Sequence, residues 1–321
     1  MTTAVSGLPP NVTKTAVTVG TFDGVHRGHL DVILRLIARA HANGVRSVAI
    51  TFEPHPLEVV NPAAAPQLLT VGDEKMEVLA ESGLDYLVVL PFTPALAALP
   101  AESFVDDVLR ARFRMCDLLI GHVHGFGRQR AGNPAILKAL GTSRGFSVEV
   151  IEPVSDTGGR WVSSTAIRRA IAGGDLASAE QMLGRPYSVG GTVIKGEQRG
   201  RALGFPTINL SPPPARKLLP PDGVYAARVQ TPRGPFGAMV HLGPRPTFGD
   251  QARSIEAYLF DTEGDFYDLR VRIDLLERLR DIRKFDTPAA LVEQIRADEV
   301  AARAALLTHP LSGIPLRASV L

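Results

Sequence analysis

The sequence predicts an α/β unit with a doubly wound parallel sheet, followed by a small antiparallel β-barrel with a terminal helix. Three observations carry this. Short apolar runs alternate with helical patterns as far as residue 151. After residue 185 the pattern becomes closely spaced β segments broken by glycine and proline. The length, 321 residues, suits two domains better than one.

The elements follow in order. AVTVG (16–20) reads as a buried strand, and a helix over 30–40 puts Ile33, Leu34 and Ile37 on one face. Then come strand 46–52, helix 73–82, strand 86–90, helix 102–113, strand 116–121, helix 134–140 and strand 146–151. SSTAIRRAIAGG (163–174) opens on serine and closes on glycine, the signature of a capped helix, and Asp175 can cap a second one reaching Leu183. GRPYSVGG then marks a border, so the expected domains are 1–183 and 184–321. Beyond it, β segments are expected over 187–195, 223–230, 236–242, 254–261 and 268–277. Thr287 at a cap and Pro288 at a first turn open the terminal helix, with Leu291, Ile295 and Leu306 among its apolar positions.

Composition excludes several classes. Hydrophobic residues make up 45% and charged residues 21%, a globular rather than a disordered profile. No apolar run approaches the roughly 18 residues of a membrane span. The opening MTTAVSGLPPNVTKT has neither a basic start nor an apolar core, so no secretory leader is expected. The single cysteine, Cys116, rules out a disulfide framework and a thiolate-rich metal site. It reads as a small core residue in a reducing, cytoplasmic protein. Six of the 35 basic residues are lysine. The arginine bias suits phosphate recognition, although compositional drift explains it as well. No dense basic run is present and net charge is only +2, so neither nucleic acid nor membrane is an expected partner. Homo-oligomerisation stays open.

Two stretches carry chemistry. In VGTFDGVHRGH (19–29) a strand gives way to a helix, with His26 and His29 three residues apart at the helix start. Gly20, Gly24 and Gly28 let backbone approach a ligand closely. Helix-start amides favour anionic oxygens, and imidazoles can add hydrogen bonds to a phosphate that gains charge. A metal pair, a cap and a solvated surface are the competing readings; the strand–loop–helix setting favours nucleotide phosphate. In VIKGEQRGRALGFPTINL (193–210) a glycine-rich loop leads to Thr207 and Asn209. It has the spacing of neither the Walker lysine motif nor the protein-kinase loop. Two residues apart on an extended segment, Thr207 and Asn209 face one side, where a hydroxyl and an amide oxygen could hold hydrated Mg²⁺ and phosphate. A plain turn and strand start is the competing reading. Glu256 alternates with Ile255 and Ala257 in a strand pattern, so its carboxylate must pair, be solvated or face a site.

GTFDGVHRGH resembles the flavin branch of the (H/T)xGH nucleotidyltransferase signature. TFEPHP from Thr51, GFGRQRAGN from Gly125 and VSSTAIR from Val162 agree with it. GFPTINL from Gly204, DGVY from Asp222, GPRPTF from Gly243 and SIEAYLFD from Ser254 resemble riboflavin kinase strings, PTIN standing for Pro-Thr-Ala-Asn. In this order, over roughly residues 15–310, the chain resembles the bacterial bifunctional riboflavin kinase/FAD synthetases.

The resemblance implies a Rossmann-like nucleotidyltransferase domain that adenylylates FMN and a barrel that phosphorylates riboflavin, both with ATP and Mg²⁺. By similarity, His26 and His29 hold ATP phosphates, and Gly20, Phe22, Asp23 and Gly24 line the nucleotide site. Ser163, Ser164 and Thr165 bind the outgoing phosphates, with Arg168 adding positive charge; a simple N-cap is the plainer reading of that triplet. In the barrel, Glu256 matches the catalytic base, Thr207 and Asn209 the metal and phosphate ligands, and Lys195, Gly196, Gly204 and Arg283 the ATP and flavin contacts. His55, between two prolines, is either a turn residue or functional. Three positions depart from the family pattern. Val123 stands where Asp or Asn is usual, Trp161 where a basic residue often precedes VSST, and Tyr258 where histidine is common. A kinase with a weakened adenylyltransferase half and a non-catalytic flavin- or nucleotide-binding regulator are the rival readings.

Overall fold

The structure, a computed structural model, describes residues 7–122, 132–155, 158–196, 200, 203–245 and 250–309, without the side chains of 245 and 250–252. The chain packs into two compact units, Met1–Ser164 and Thr165–Leu321.

The first unit holds five strands: β1 (Thr15–Val19), β2 (Arg46–Glu53), β3 (Tyr86–Pro91), β4 (Met115–Gly121) and β5 (Ser147–Ile151). They pair in parallel in the order β3-β2-β1-β4-β5. Chain order reverses between β1 and β4, and that switch point is where this architecture binds ligands, beyond the carboxyl ends of the strands. Both faces of the sheet are covered, which is why β1, β2 and β4 are buried over most of their length. One face packs Val17, Ile50 and Leu118 against Phe104, Leu109 and Leu137. The other meets α1 (Arg27–Ala42) through Ile33 and Leu36, and α3 (Asp73–Ala80) through Val78 and Leu79.

Three differences from expectation have physical reasons. The single-turn helices α2 (Pro56–Val60) and α4 (Pro94–Ala98) each start on proline and are too short for a periodic signal. The helix expected over 102–113 begins as α5 (Ala101–Ser103) and continues as a π-helix over Phe104–Arg112. Its buried Phe104 and Leu109 are five apart, and Phe113 N–H bonds to the Val108 carbonyl at 3.1 Å, the i→i−5 spacing of a π turn. Helix α6 (Pro134–Arg144) runs one turn past its expected end and stops at Gly145, whose φ of 72° is left-handed.

The chain leaves the first unit at the start of α7 (Ser164–Ala172). In the second unit α8 (Leu176–Leu183) is capped by Asp175, whose carboxylate accepts from Ser178 N–H at 2.9 Å, and ends at Gly184 with φ 78°. Six antiparallel strands follow: β6 (Tyr187–Ile194), β7 (Thr207–Leu210), β8 (Gly223–Thr231), β9 (Gly234–Arg245), β10 (Asp250–Leu259) and β11 (Arg270–Arg280). They close a barrel in the order β10-β7-β6-β11-β8-β9. The PTIN segment is itself β7, the strand that joins β6 to β10. Helix α9 (Pro288–Thr308), capped by Thr287, lays Ala302, Ala305 and Leu306 on Phe205, Met239, Tyr258 and Phe260. Among the described residues no helix is long and apolar enough to cross a membrane.

Candidate active sites

Beyond β1 the backbone enters a tight loop in which Phe22, Gly24 and Val25 all have positive φ, at 47°, 79° and 40°. For a β-branched residue such as Val25 this is strained backbone, which persists only where the surroundings impose it. They do. The buried Asp23 carboxylate accepts from Leu69 N–H at 2.9 Å and Thr70 N–H at 3.1 Å, and Gly24 N–H donates to the Thr70 hydroxyl at 3.0 Å. A Cβ on Gly24 would stand 2.6 Å from the Leu69 side chain, so glycine is required there. Asp23 and Gly24 therefore hold the loop in shape. Phe22 is buried, with its ring about where a Cβ on Gly20 would reach it, at 3.0 Å, and edge-on to His29 at 5.3 Å.

The loop delivers two imidazoles to the positive end of α1. His26 is the N-cap: its Nδ1 accepts from His29 N–H at 3.3 Å, which leaves Nε2 to carry the proton in the neutral ring. The His26 and His29 rings stack at 3.6 Å. The start of α7 lies against the same loop. Ser164 Oγ donates to the Asp23 carbonyl at 2.9 Å, and the Val162 carbonyl is 4.0 Å from where a Cβ on Gly28 would be. The structure thus sets Ser164, and Ser163 just before it, against the loop that leads into His26 and His29. Thr165 and Arg168 follow on α7. Trp161, which pairs with Ser155 in a single β-bridge, is 60% exposed. His55 serves as the cap of α2: its Nδ1 accepts from Leu57 N–H at 3.2 Å and Glu58 bonds back to its N–H at 2.8 Å, which is the turn reading. Val123 and most of GFGRQRAGN lie outside the described residues.

The barrel builds its cluster from strand register. On β7 and β10, Asn209 is directly opposite Glu256, and Thr207 is opposite Tyr258. Side chains two apart share a face, so all four emerge together. Thr207 Oγ1 donates to Glu256 Oε2 at 3.3 Å, and Ser254 Oγ to Oε1 at 3.0 Å. Both carboxylate oxygens are oriented by these hydroxyls. Gly196 and Gly200 lie directly on this cluster. A Cβ on Gly196 would stand 2.4 Å from the Asn209 amide, and one on Gly200 would be 3.5 Å from Thr207 Oγ1. Lys195 follows the end of β6, and Gly204 turns the chain into β7 with φ 86°. Arg283 hydrogen-bonds to Gln294 of α9 and stacks over Phe285, which precedes that helix, at 4.7 Å. Partial burial pushes the Tyr258 phenol up, so it stays a neutral hydroxyl.

Sequence reasoning missed Ser254 and Lys75. Ser254 was detectable as the same-face neighbour of Glu256 two positions earlier. Lys75 falls on the apolar stripe of α3 with Val78 and Leu79, an unusual place for a cation.

Comparison with known proteins gives a consistent result. The FAD synthetase family profile matches residues 8–166 and the riboflavin kinase profile residues 183–306. A bifunctional riboflavin kinase/FMN adenylyltransferase of Escherichia coli K12 is 35% identical over 288 residues, covering 89% of this chain and 91% of that protein. The protein of the same description from Pseudomonas fluorescens is 37% identical over 298 residues, covering 92% and 94%. Among solved structures, one described as a macrolide-efflux protein from Streptococcus pneumoniae superposes with a TM-score of 0.79 at 30% identity, covering 92% of this chain and 95% of that one.

Proposed function

The chain belongs to the bifunctional riboflavin kinase/FMN adenylyltransferase family, and on that premise we propose how its two halves divide the work. The enzyme phosphorylates riboflavin to FMN with ATP and adenylylates FMN to FAD, releasing pyrophosphate. Residues 1–183 are assigned to adenylyl transfer and 184–321 to the kinase. The left-handed Gly184 after α8 and the start of the riboflavin kinase match at 183 support that border, which lies past the division of the two compact units after Ser164. A fragment from residue 184 onward is expected to make FMN unaided; a folded fragment without kinase activity would refute it.

In the barrel, Glu256 takes the proton of the ribityl 5′-hydroxyl as that oxygen attacks the γ-phosphorus of ATP and ADP leaves. Thr207 and Ser254 hold the carboxylate in one orientation for this. The Thr207 hydroxyl and Asn209 amide oxygen, under a loop that excludes a Cβ at Gly196, fit a hydrated hard cation bound with phosphate. Mg²⁺ held by Thr207 and Asn209 would neutralise phosphate charge. Lys195 and Arg283 contribute to the ATP and flavin contacts.

In the α/β unit, a phosphate oxygen of FMN attacks the α-phosphorus of ATP and the pyrophosphate oxygen departs. Such transfers depend on positioning and on charge stabilisation. His26 and His29, at the amide-rich start of α1, meet the ATP phosphates. Ser163, Ser164, Thr165 and Arg168 take the outgoing pair, while Asp23, Gly24 and Phe22 shape the loop. The thiol Cys116 and the absence of any other cysteine in the sequence support a cytoplasmic location.

The observation that carries the kinase assignment is Thr207, Asn209 and Glu256 meeting on one face of β7 and β10. The test is to incubate the purified protein with riboflavin, ATP and Mg²⁺ and to separate the flavins over time. FMN is expected first and FAD after it; a chain that leaves riboflavin unchanged is not this enzyme.

A further inference from the structure

Lys75 is buried on α3, 8% exposed, beside the carboxyl ends of β1 and β2. Its Nζ donates to the Thr21 carbonyl at 3.3 Å, the Thr51 hydroxyl at 3.1 Å and the Phe52 carbonyl at 3.3 Å. Thr51 Oγ1 in turn donates to the Thr21 carbonyl at 3.1 Å. That carbonyl thus collects two hydrogen bonds immediately before Phe22, where the backbone turns to positive φ. Burying an ammonium is costly, and charge-assisted hydrogen bonds are what offset it. An apolar side chain of similar volume would fill the space without that cost, so packing alone gives no reason for lysine.

The other holds on the loop come from the same stretch of chain. Leu69 and Thr70 bind the Asp23 carboxylate, and Thr70 receives Gly24 N–H. Residues 69–75 therefore grip the loop at Thr21, Asp23 and Gly24, just before His26 caps α1. We infer that Lys75 is a positioning residue for adenylyl transfer: its ammonium fixes the Thr21 carbonyl, and through it the strained loop that presents His26 and His29 to ATP. This rests on the adenylyltransferase assignment of the α/β unit. Lys75 touches no reacting atom in this role. It holds the loop in the reactive geometry, and displacements of about 1 Å in such positions cost on the order of 10²-fold in rate.

The experiment uses full-length Lys75→Met, Lys75→Arg and Thr51→Val, with FAD formation from FMN and ATP as readout and kinase turnover of the same chain as the measure of active protein. Lys75→Met is expected to lower kcat for FAD formation by roughly 10²-fold while KM for ATP stays nearly unchanged, the pattern of an interaction that matters in the transition state. Lys75→Arg, which keeps charge and donors, recovers most of the rate. Thr51→Val loses less, and combining it with Lys75→Met adds little, because both act on the one carbonyl. Melting of the α/β unit is expected to be retained. Parent kcat in Lys75→Met overturns the inference. So does a loss that arginine does not rescue and that tracks the unfolded fraction. If Lys75→Met does not fold, Thr51→Val decides: a lower kcat with unchanged melting upholds the inference, and an unchanged kcat ends it. A parent enzyme unable to make FAD would instead reject the adenylyltransferase assignment itself.

Discussion

The two sites are held in place by opposite means. In the barrel, the groups that meet at Glu256 sit on paired strands, and a ladder of backbone hydrogen bonds sets their spacing before any side chain acts. In the α/β unit, the histidines follow a loop whose backbone is intrinsically unfavourable and which contacts some fifty residues distant keep in shape. A site built on register tolerates loss of a supporting side chain better than one built on an imposed loop. A substitution at the barrel should therefore act through the chemistry it removes, and one at the loop through geometry as well.

The sharpest test of that contrast is Glu256→Gln, which keeps volume and removes the proposed base. Kinase turnover should fall about 10²–10⁴-fold, with conversion of supplied FMN to FAD unchanged. Equal loss of both activities would mean that the substitution misfolds the chain. His29→Ala is the counterpart in the α/β unit. Loss of one donor to developing charge costs on the order of 10²–10³-fold, so FAD formation should drop while FMN continues to accumulate. FAD production at the parent rate would reduce His29 to a helix-start residue.

Gly196→Ala probes how far register protects the barrel. The added Cβ meets the Asn209 amide at 2.4–2.7 Å, so either the loop or the amide must move. Overpacking of this kind typically costs about 1–3 kcal/mol; a loss of about tenfold in kinase rate is expected, while β7–β10 pairing persists. Unchanged kinetics would show that the loop is free to lift off. The smallest effect is expected at Cys116, whose Sγ contacts the Thr15 carbonyl at 3.4 Å. Burial pushes its thiol up, so less thiolate is present at mildly alkaline pH than for an open cysteine. Iodoacetamide should label it slowly, and Cys116→Ser should leave both reactions intact; fast labelling would place the thiol at the surface.

Much of this was readable in the residues. Alternation of Ile255, Ala257 and Leu259 with Glu256 and Tyr258 put the carboxylate on one face, and the even spacing of Thr207 and Asn209 put both on another. Pairing of those two strands was the missing step, because register across a barrel depends on intervening chain. His26 and His29 were visible as a helix start, although the helix begins at Arg27, with His26 as its cap, rather than at residue 30. Asp23 was less legible. Its sequence position beside the histidines marks it for the nucleotide site, but the hydrogen bonds its carboxylate accepts from the amides of Leu69 and Thr70 are ones no local pattern reveals. Lys75 was hidden for the same reason: the stripe it shares with Val78 and Leu79 marks it as buried but does not say what it meets.

The closed barrel has a consequence for how the molecule fails. Every described strand of the kinase unit has a neighbour on both sides, so among the described residues that unit has no strand left wholly unpaired along one side for another chain to join. The parallel sheet ends at β3 and β5, each a true edge. β3 closes on Pro91, and β5 carries Glu149, tied to Arg39 at 3.1 Å, devices that discourage strand addition while the unit is intact. On heating, once these edges loosen, aggregation should start from the α/β half, and deposits formed early should be enriched in segments 86–91 and 147–151 while the barrel in them still binds flavin.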